Sequence, residues 1–181
     1  NSASDLPMLQ GYTDVSIKKN QALSNYMKEL AERTEKIRTG MIDRKYDNML
    51  KVSTDGRKAA LDLSLVGRKQ NDDEHSKVFR CVENVVALYN QQPNATQLIF
   101  CDYSTPKAEQ FNVYAELKRR LVEKGIPEKE IAFIHSYQTE SRKVELFRKF
   151  NAGEMRILIG STFKLGIGAN VQRKLKAVHH L

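Results

Sequence analysis

Short apolar runs alternate with helical stripes in the second half of the chain. The runs predict buried strands, which occupy 98–101, 131–134, 156–160 and the residues from 177 onward. The segments between them have helical spacing, and in the helix predicted over 139–150 the residues expected to face inward are Val144, Phe147 and Phe150. Thr105-Pro106 is typical of a helix start, and Gly125 is expected to end that helix. Strands joined by helices need right-handed crossovers, so we expect an α/β fold with a parallel sheet covered on both faces.

The first half of the chain has a different pattern, which is mainly helical. Apolar residues at steps of three and four predict an amphipathic helix over 17–39, with Gly40 in the position of a C-terminal cap. Asp55-Gly56 predicts a turn, and a second helix is expected over 57–66. The polar stretch QNDDEHS (70–76) resembles a connector. We therefore expect a helical accessory segment over residues 1–75 and an α/β domain over 76–181.

Charge adds a candidate partner to this picture. The 181 residues carry a formal net charge of +8, and residues 76–181 hold 17 basic against 10 acidic side chains. A basic half indicates a polyanionic partner such as nucleic acid, although a lysine-rich solvated surface explains the charge equally well. No apolar run is long enough to cross a membrane, and the polar start is unlike a signal peptide. Cys81 and Cys101 lack metal-site spacing, which favours reduced thiols in a cytoplasmic protein.

Candidate chemistry lies in the loops that follow the strands, because the carboxyl edge of an open parallel sheet is where ligands bind. Three loops qualify, and they are 102–105, 135–138 and 161–170. In the third, hydroxyls at Ser161 and Thr162 precede Gly166 and Gly168, which let backbone N–H groups approach a phosphate. A tight turn without a ligand is the simpler interpretation of the same residues.

Several catalytic signatures are absent from the sequence. There is no P-loop, no D-E-x-[DH] tetrad for magnesium, and no Asn/Asp-Pro-Pro-aromatic segment for base methylation. His179 and His180 lie on a predicted strand, where adjacent side chains point to opposite faces and do not readily share a metal.

Three ordered blocks carry a resemblance to a known family. LIFCD (98–102), AFIHSYQTESRKVELFRKFNAGE (132–154) and ILIGSTFKLGIGAN (157–170) together resemble the second RecA-like lobe of superfamily 2 helicases, in particular the chromatin-remodeller-like translocases. Ser161-Thr162 and 166–170 stand where motif V of that family has Ser-Thr and Gly-Leu-Gly-Ile-Asn. The segment 47–62 is similar to the inter-lobe region of large phage- or plasmid-type proteins that fuse a DNA methylase to a helicase.

The resemblance implies a RecA-like fold and a nucleic-acid-binding role for residues in all three blocks. The expected nucleic-acid contacts are Asp102, Tyr103, Ser104, His135, Arg142, Lys143, Ser161, Thr162 and Lys164. Gly166, Gly168 and Asn170 are expected to shape motif V toward an ATP cleft. The implied partners are DNA, with RNA as an alternative, and the first RecA-like lobe of the same polypeptide.

The same resemblance implies an incomplete catalyst. Motif VI is expected after the strand that begins at Ala177, and the first lobe with its P-loop is expected before the chain, so the sequence is interpreted as a truncated lobe. ATP and Mg²⁺ are expected only in the larger protein. Two alternatives stay open: a non-enzymatic basic interaction domain with a Rossmann-like fold, and a Rossmann-like enzyme for a small anionic ligand.

Overall fold

The chain folds into two compact units, of which the first lies within residues 15–80 and the second comprises residues 81–181 together with 11–14. A computed structural model describes residues 11–14, 21–69, 76–103, 112–162 and 170–181. Each unit has its own core of buried apolar side chains. None of the described helices is long and apolar enough to cross a bilayer.

The first unit is a helical pair. Helix α1 spans Gln21–Arg38, α2 spans Met49–Leu61, and a 3-10 turn follows over Leu63–Val66. Their shared core is formed by Tyr26, Leu30, Ile37, Val52, Ala59 and Leu63.

The turn predicted at Asp55-Gly56 is wrong, because α2 runs through both residues. A tertiary contact outweighs the local signal: Arg33 of α1 donates to Asp55 at 2.9 Å and binds Asp47 through two further hydrogen bonds of 2.8 and 2.9 Å. Helix α1 ends as predicted, with Gly40 in the left-handed region at φ 76°.

The second unit alternates strands and helices. Its strands are β1 (Thr96–Phe100), β2 (Ile131–Phe133), β3 (Ile157–Gly160) and β4 (Leu175–His180). Helix α3 spans Lys77–Gln91, with Cys81 and later residues in this unit, while α4 spans Val113–Glu123 and α5 spans Glu140–Ala152. All four strands lie within a few residues of their predicted positions.

The strands form a parallel sheet in the order β2-β3-β1-β4. The crossover from β1 to β2 moves one way across the sheet and that from β2 to β3 moves back, so right-handed connections place α4 and α5 on opposite faces. Packing agrees, since Leu146 and Phe150 of α5 share a core with Leu98 and Leu158. On the other face, Tyr114 of α4 contacts Phe133. The predicted α/β class, with a helical segment before a parallel sheet, is confirmed.

One detail of the predicted helices is wrong, and another lies outside the described residues. Helix α4 begins at Val113 because Asn112 is extended and accepts a hydrogen bond from the amide of Ala115, as an N-cap does. The expected start at Thr105-Pro106 lies outside the described residues. Val144 is not inward-facing but 66% exposed, since the buried stripe of α5 runs through Leu146 and Phe150.

Candidate functional site

The carboxyl edge of the sheet brings the predicted loops of β1 and β3 into direct contact. Phe100 pairs with Gly160, so the residues two positions further along each strand lie side by side. The amide of Thr162 donates to Oδ1 of Asp102 at 2.7 Å, and the Thr162 hydroxyl donates to Oδ2 at 2.8 Å. Both residues are exposed, and Ser161 beside them is half-buried. Hydroxyl, amide and carboxylate groups therefore meet at one point of this edge.

Tyr114 connects the ends of β1 and β2 on the same edge. Its hydroxyl donates to the carbonyl of Cys101, and its ring meets Phe133 and His135 edge-on with centroid distances of 5.8 and 5.2 Å. Burial raises the pKa of the Tyr114 hydroxyl, with the nearby Cys101 and Asp102 adding to the effect. The phenol thus stays protonated and holds half-buried His135 at the strand end. No sequence signal singled out Tyr114, because an aromatic residue in the first turn of a helix has no distinctive spacing.

The two cysteines do not offer a reactive thiolate. Burial raises the pKa of Cys101 to about 11 and that of Cys81 to about 12, so both thiols are protonated at neutral pH. The Cys101 thiol donates to the carbonyl of Tyr103 at 3.0 Å. Cys101 therefore shapes the turn that presents Tyr103, which is half-buried.

A second group of polar residues follows β2 and begins α5. The Thr139 hydroxyl caps the helix by accepting from the Arg142 amide. Arg142 is exposed, and its guanidinium makes no ion pair with a described carboxylate, whereas Lys143 pairs with Glu140 at 2.9 Å. An open cavity of about 350 Å³ lies here, lined by Ser136, Tyr137, Ser141, Arg142 and Glu145. Arg142 is thus the better placed of the two predicted cations to meet an anion.

Asn170 lies elsewhere. Its carbonyl accepts a hydrogen bond of 2.7 Å from the side chain of Asn151, which stands near the end of α5. Helix α5 runs from the carboxyl edge of β2 back toward the start of β3, so Asn170 lies toward the amino edge of the sheet. The structure therefore does not bring Asn170 to Thr162. Asn151, which belongs to the second of the three blocks, positions Asn170 through this hydrogen bond.

Four predicted site residues, Ser104, Lys164, Gly166 and Gly168, lie outside the described residues. Within the described ranges, no group of three or more His, Cys, Asp or Glu side chains is placed to hold a metal ion. His179 and His180 point to opposite faces, as strand alternation predicts: His179 Nε2 is 2.8 Å from Gln97 Oε1, and His180 stacks on Phe100.

A residue that sequence reasoning missed holds the opposite, amino edge together. Buried Arg156 donates to the carbonyls of Ala95, Tyr89 and Gln92 at 3.0, 3.1 and 2.8 Å, and its guanidinium lies 3.8 Å from the centre of the Tyr89 ring. Its cation is fully occupied within the fold. Arg156 therefore belongs to the framework and not to the candidate site.

No protein-family model, curated protein sequence or solved structure matches the chain. A function is therefore inferred from three features of the structure. They are the parallel sheet, the contact between Asp102 and Thr162, and the exposed guanidinium of Arg142, which has no ion pair with a described carboxylate.

Proposed function

We propose that residues 76–181 form the nucleic-acid-binding second lobe of an ATP-dependent DNA helicase or translocase. The observation that carries the proposal is that the hydroxyl, amide and guanidinium donors of Ser161, Thr162 and Arg142 lie on one edge of a parallel sheet. The two donors of Thr162 are bound there by an exposed carboxylate, that of Asp102. Such donors are the usual partners of phosphate oxygens. The three sequence blocks that resemble this lobe coincide with β1, the β2-α5 segment and β3, and the excess of basic residues in 76–181 supports a polyanionic ligand.

In this proposal the residues have different tasks. Thr162 and Arg142 contact backbone phosphates, Ser161 lies beside Thr162, and His135 flanks the edge where Tyr114 holds it. Lys143 contributes less because Glu140 already neutralises it. Phosphate recognition suits DNA and RNA alike, and the further partner is the first RecA-like lobe. ATP and Mg²⁺ belong to the cleft with that lobe, and two of the residues expected there, Gly166 and Gly168, lie outside the described part of the chain.

Two parts that ATP hydrolysis needs have no counterpart in this sequence. The sequence contains neither a phosphate-cradling P-loop nor an acidic tetrad, and phosphoryl transfer depends on both a phosphate cradle and a metal site. We expect the purified chain to release no phosphate from ATP, with or without DNA, in a coupled phosphate assay. ATP turnover that persists through repeated chromatography and coelutes with the chain would contradict the assignment of these 181 residues to the second lobe alone.

Binding to DNA supplies the experiment that tests the proposal. We expect weak, sequence-independent binding, with a dissociation constant on the order of 10⁻⁴–10⁻⁶ M near physiological salt. Affinity should fall steeply as salt rises, because phosphate contacts release counterions from the DNA. Fluorescence anisotropy of a labelled oligonucleotide at several salt concentrations measures both quantities. An absence of binding even at about 50 mM salt would contradict the proposal.

Arg142 provides a test of where the nucleic acid lies. Arg142→Ala should weaken binding several-fold and reduce the salt slope by about one, as the loss of one phosphate contact does. Lys149→Ala is the matched control, because Lys149 is exposed on the same helix but lies near its other end. Equal losses in the two variants would indicate a diffuse charge effect and not a site at the carboxyl edge.

A protein-interaction role has an observation of its own. In the first unit, Met41, Tyr46 and Leu50 are 78%, 74% and 76% exposed. Exposed apolar side chains that form one contiguous patch mark an interface. If this is the main function of the chain, DNA binding should be absent or should show a flat response to salt, so the anisotropy experiment distinguishes the two functions.

A further inference from the structure

Both hydrogen-bond donors of Thr162 are already used within the protein. The amide N–H points to one oxygen of Asp102 and the hydroxyl proton to the other, at 2.7 and 2.8 Å. A backbone amide and a hydroxyl each have one proton to donate. In this state Thr162 has no proton left for a phosphate oxygen, and the group that takes both protons is itself an anion.

The sheet holds the backbones of Asp102 and Thr162 side by side. Phe100 and Gly160 are register partners, and the Cys101 amide donates to the Gly160 carbonyl at 2.9 Å, so the two strand ends cannot drift apart. The side chains themselves are exposed, which leaves the carboxylate of Asp102 free to rotate into solvent about its single bonds. The backbone therefore holds Asp102 within reach of Thr162, while its carboxylate can be exchanged for another acceptor.

We propose that Asp102 is an internal competitor for the anion site at Thr162, and that a nucleic-acid phosphate binds there by displacing the Asp102 carboxylate. This inference rests on the proposed nucleic-acid function of the same edge. A carboxylate and a phosphate are both charged acceptors, so they compete for the same two protons and repel each other at contact distance.

The competition also selects the ligand. A single free phosphate at Thr162 accepts the same two hydrogen bonds as the carboxylate that it replaces. Its net gain in binding free energy is therefore small. A nucleic-acid strand presents several phosphates in a row. Its contacts with Arg142 and with other basic residues of 76–181 therefore offset the free-energy cost of displacing the Asp102 carboxylate. The site thus favours polyanions over inorganic phosphate.

Asp102→Asn tests the competition with little change in shape. The asparagine oxygen still accepts from the Thr162 amide, while its NH₂ group donates to the hydroxyl oxygen and leaves the hydroxyl proton for a ligand. Glu128→Gln is the matched control, because it removes the same charge from an exposed carboxylate that pairs with Lys118, in the turn before β2 at the amino edge. The probe is fluorescein-labelled oligodeoxythymidylate in an anisotropy titration at about 50 mM salt.

We expect Asp102→Asn to bind the oligonucleotide about fivefold to tenfold more tightly than the wild type, as the removal of one repelling charge at contact distance does. Glu128→Gln should stay within about twofold, and the gain should shrink when Asp102→Asn is combined with Thr162→Val, which removes the hydroxyl. If the Asp102 carboxylate only holds Thr162 in place, its replacement should leave DNA binding equal or weaker. Equal or weaker binding by a folded Asp102→Asn variant therefore overturns this inference and leaves the proposed function standing. Asp102→Ala provides a second variant if the first is unstable. If neither the wild type nor any variant binds the oligonucleotide, the proposed function itself fails.

Discussion

We expect Arg156→Met to lower the free energy of unfolding by about 3–5 kcal/mol. The buried guanidinium donates to three carbonyls, those of Tyr89 and Gln92 around the end of α3 and that of Ala95 just before β1. The last carbonyls of a helix lack partners within the helix, and a cation is the group that satisfies them best. Methionine retains the apolar stem but removes the guanidinium donor from all three oxygens, of which that of Gln92 keeps the Ala95 amide at 3.2 Å. Urea denaturation measures the loss directly.

Arg148→Met is the control for this variant. Arg148 is exposed on α5 and forms ion pairs with Glu145 at 2.9 Å and Glu154 at 3.3 Å. Exposed pairs of this kind contribute about 1 kcal/mol or less. If the two variants lose similar stability, the hydrogen bonds of Arg156 are not what holds the amino edge of the sheet together.

We expect His179 to make the stability of the fold depend on pH. Burial, with a smaller contribution from the neighbouring His180, lowers the pKa of His179 from 6.5 to about 4. The unfolded chain therefore binds a proton that the folded chain refuses, and stability is lost as pH falls from about 6.5 toward 4. The stabilising contribution is present in full above pH 6.5. Between pH 7 and pH 5 we expect a loss of about 1.5 kcal/mol from this residue.

His179→Gln should remove most of that loss, because glutamine stays neutral and can still donate to Gln97. The free energy of unfolding, measured by urea at pH 7 and pH 5, gives the comparison, and pH 5 lies above the range in which most carboxylates titrate. His180→Gln serves as the control, since His180 is exposed at the edge strand. An unchanged pH dependence in His179→Gln would show that His179 is not the group that titrates.

The sequence pattern predicted the sheet well because its signals are local. The runs around Leu98, Ile131 and Ile157 are apolar, short and bounded by polar residues, and each becomes a buried strand. The error at Asp55-Gly56 has the opposite origin, since a contact with Arg33, 22 positions away, keeps Asp55 inside a helix. Val144 was wrongly predicted to face inward because it lies three positions before Phe147. The buried stripe of α5 instead follows the step of four from Leu146 to Phe150.

The sequence predicted the location of the candidate site at the carboxyl edge of the sheet, but not the contacts between its residues. Polar residues after each strand indicated the carboxyl edge, and the structure brings Asp102 to Thr162 as parallel pairing requires. The Asp102 carboxylate accepts from both donors of Thr162 because of the register of β1 and β3. A single sequence does not specify that register. Tyr114 and Arg156 act through contacts with carbonyls distant in sequence, and such contacts leave no motif.

Under the proposed function, the carboxyl edge of the sheet binds nucleic acid. Titration of the ¹⁵N-labelled chain with an oligodeoxythymidylate, followed by amide chemical shifts, tests it most directly. We expect the amides of Asp102, His135, Ser161 and Thr162 to shift together and to return as salt is added, while those of Ala95, Glu130 and Arg156 at the amino edge stay in place. Shifts that cluster at the amino edge or in the first unit, with Thr162 unmoved, would contradict the account.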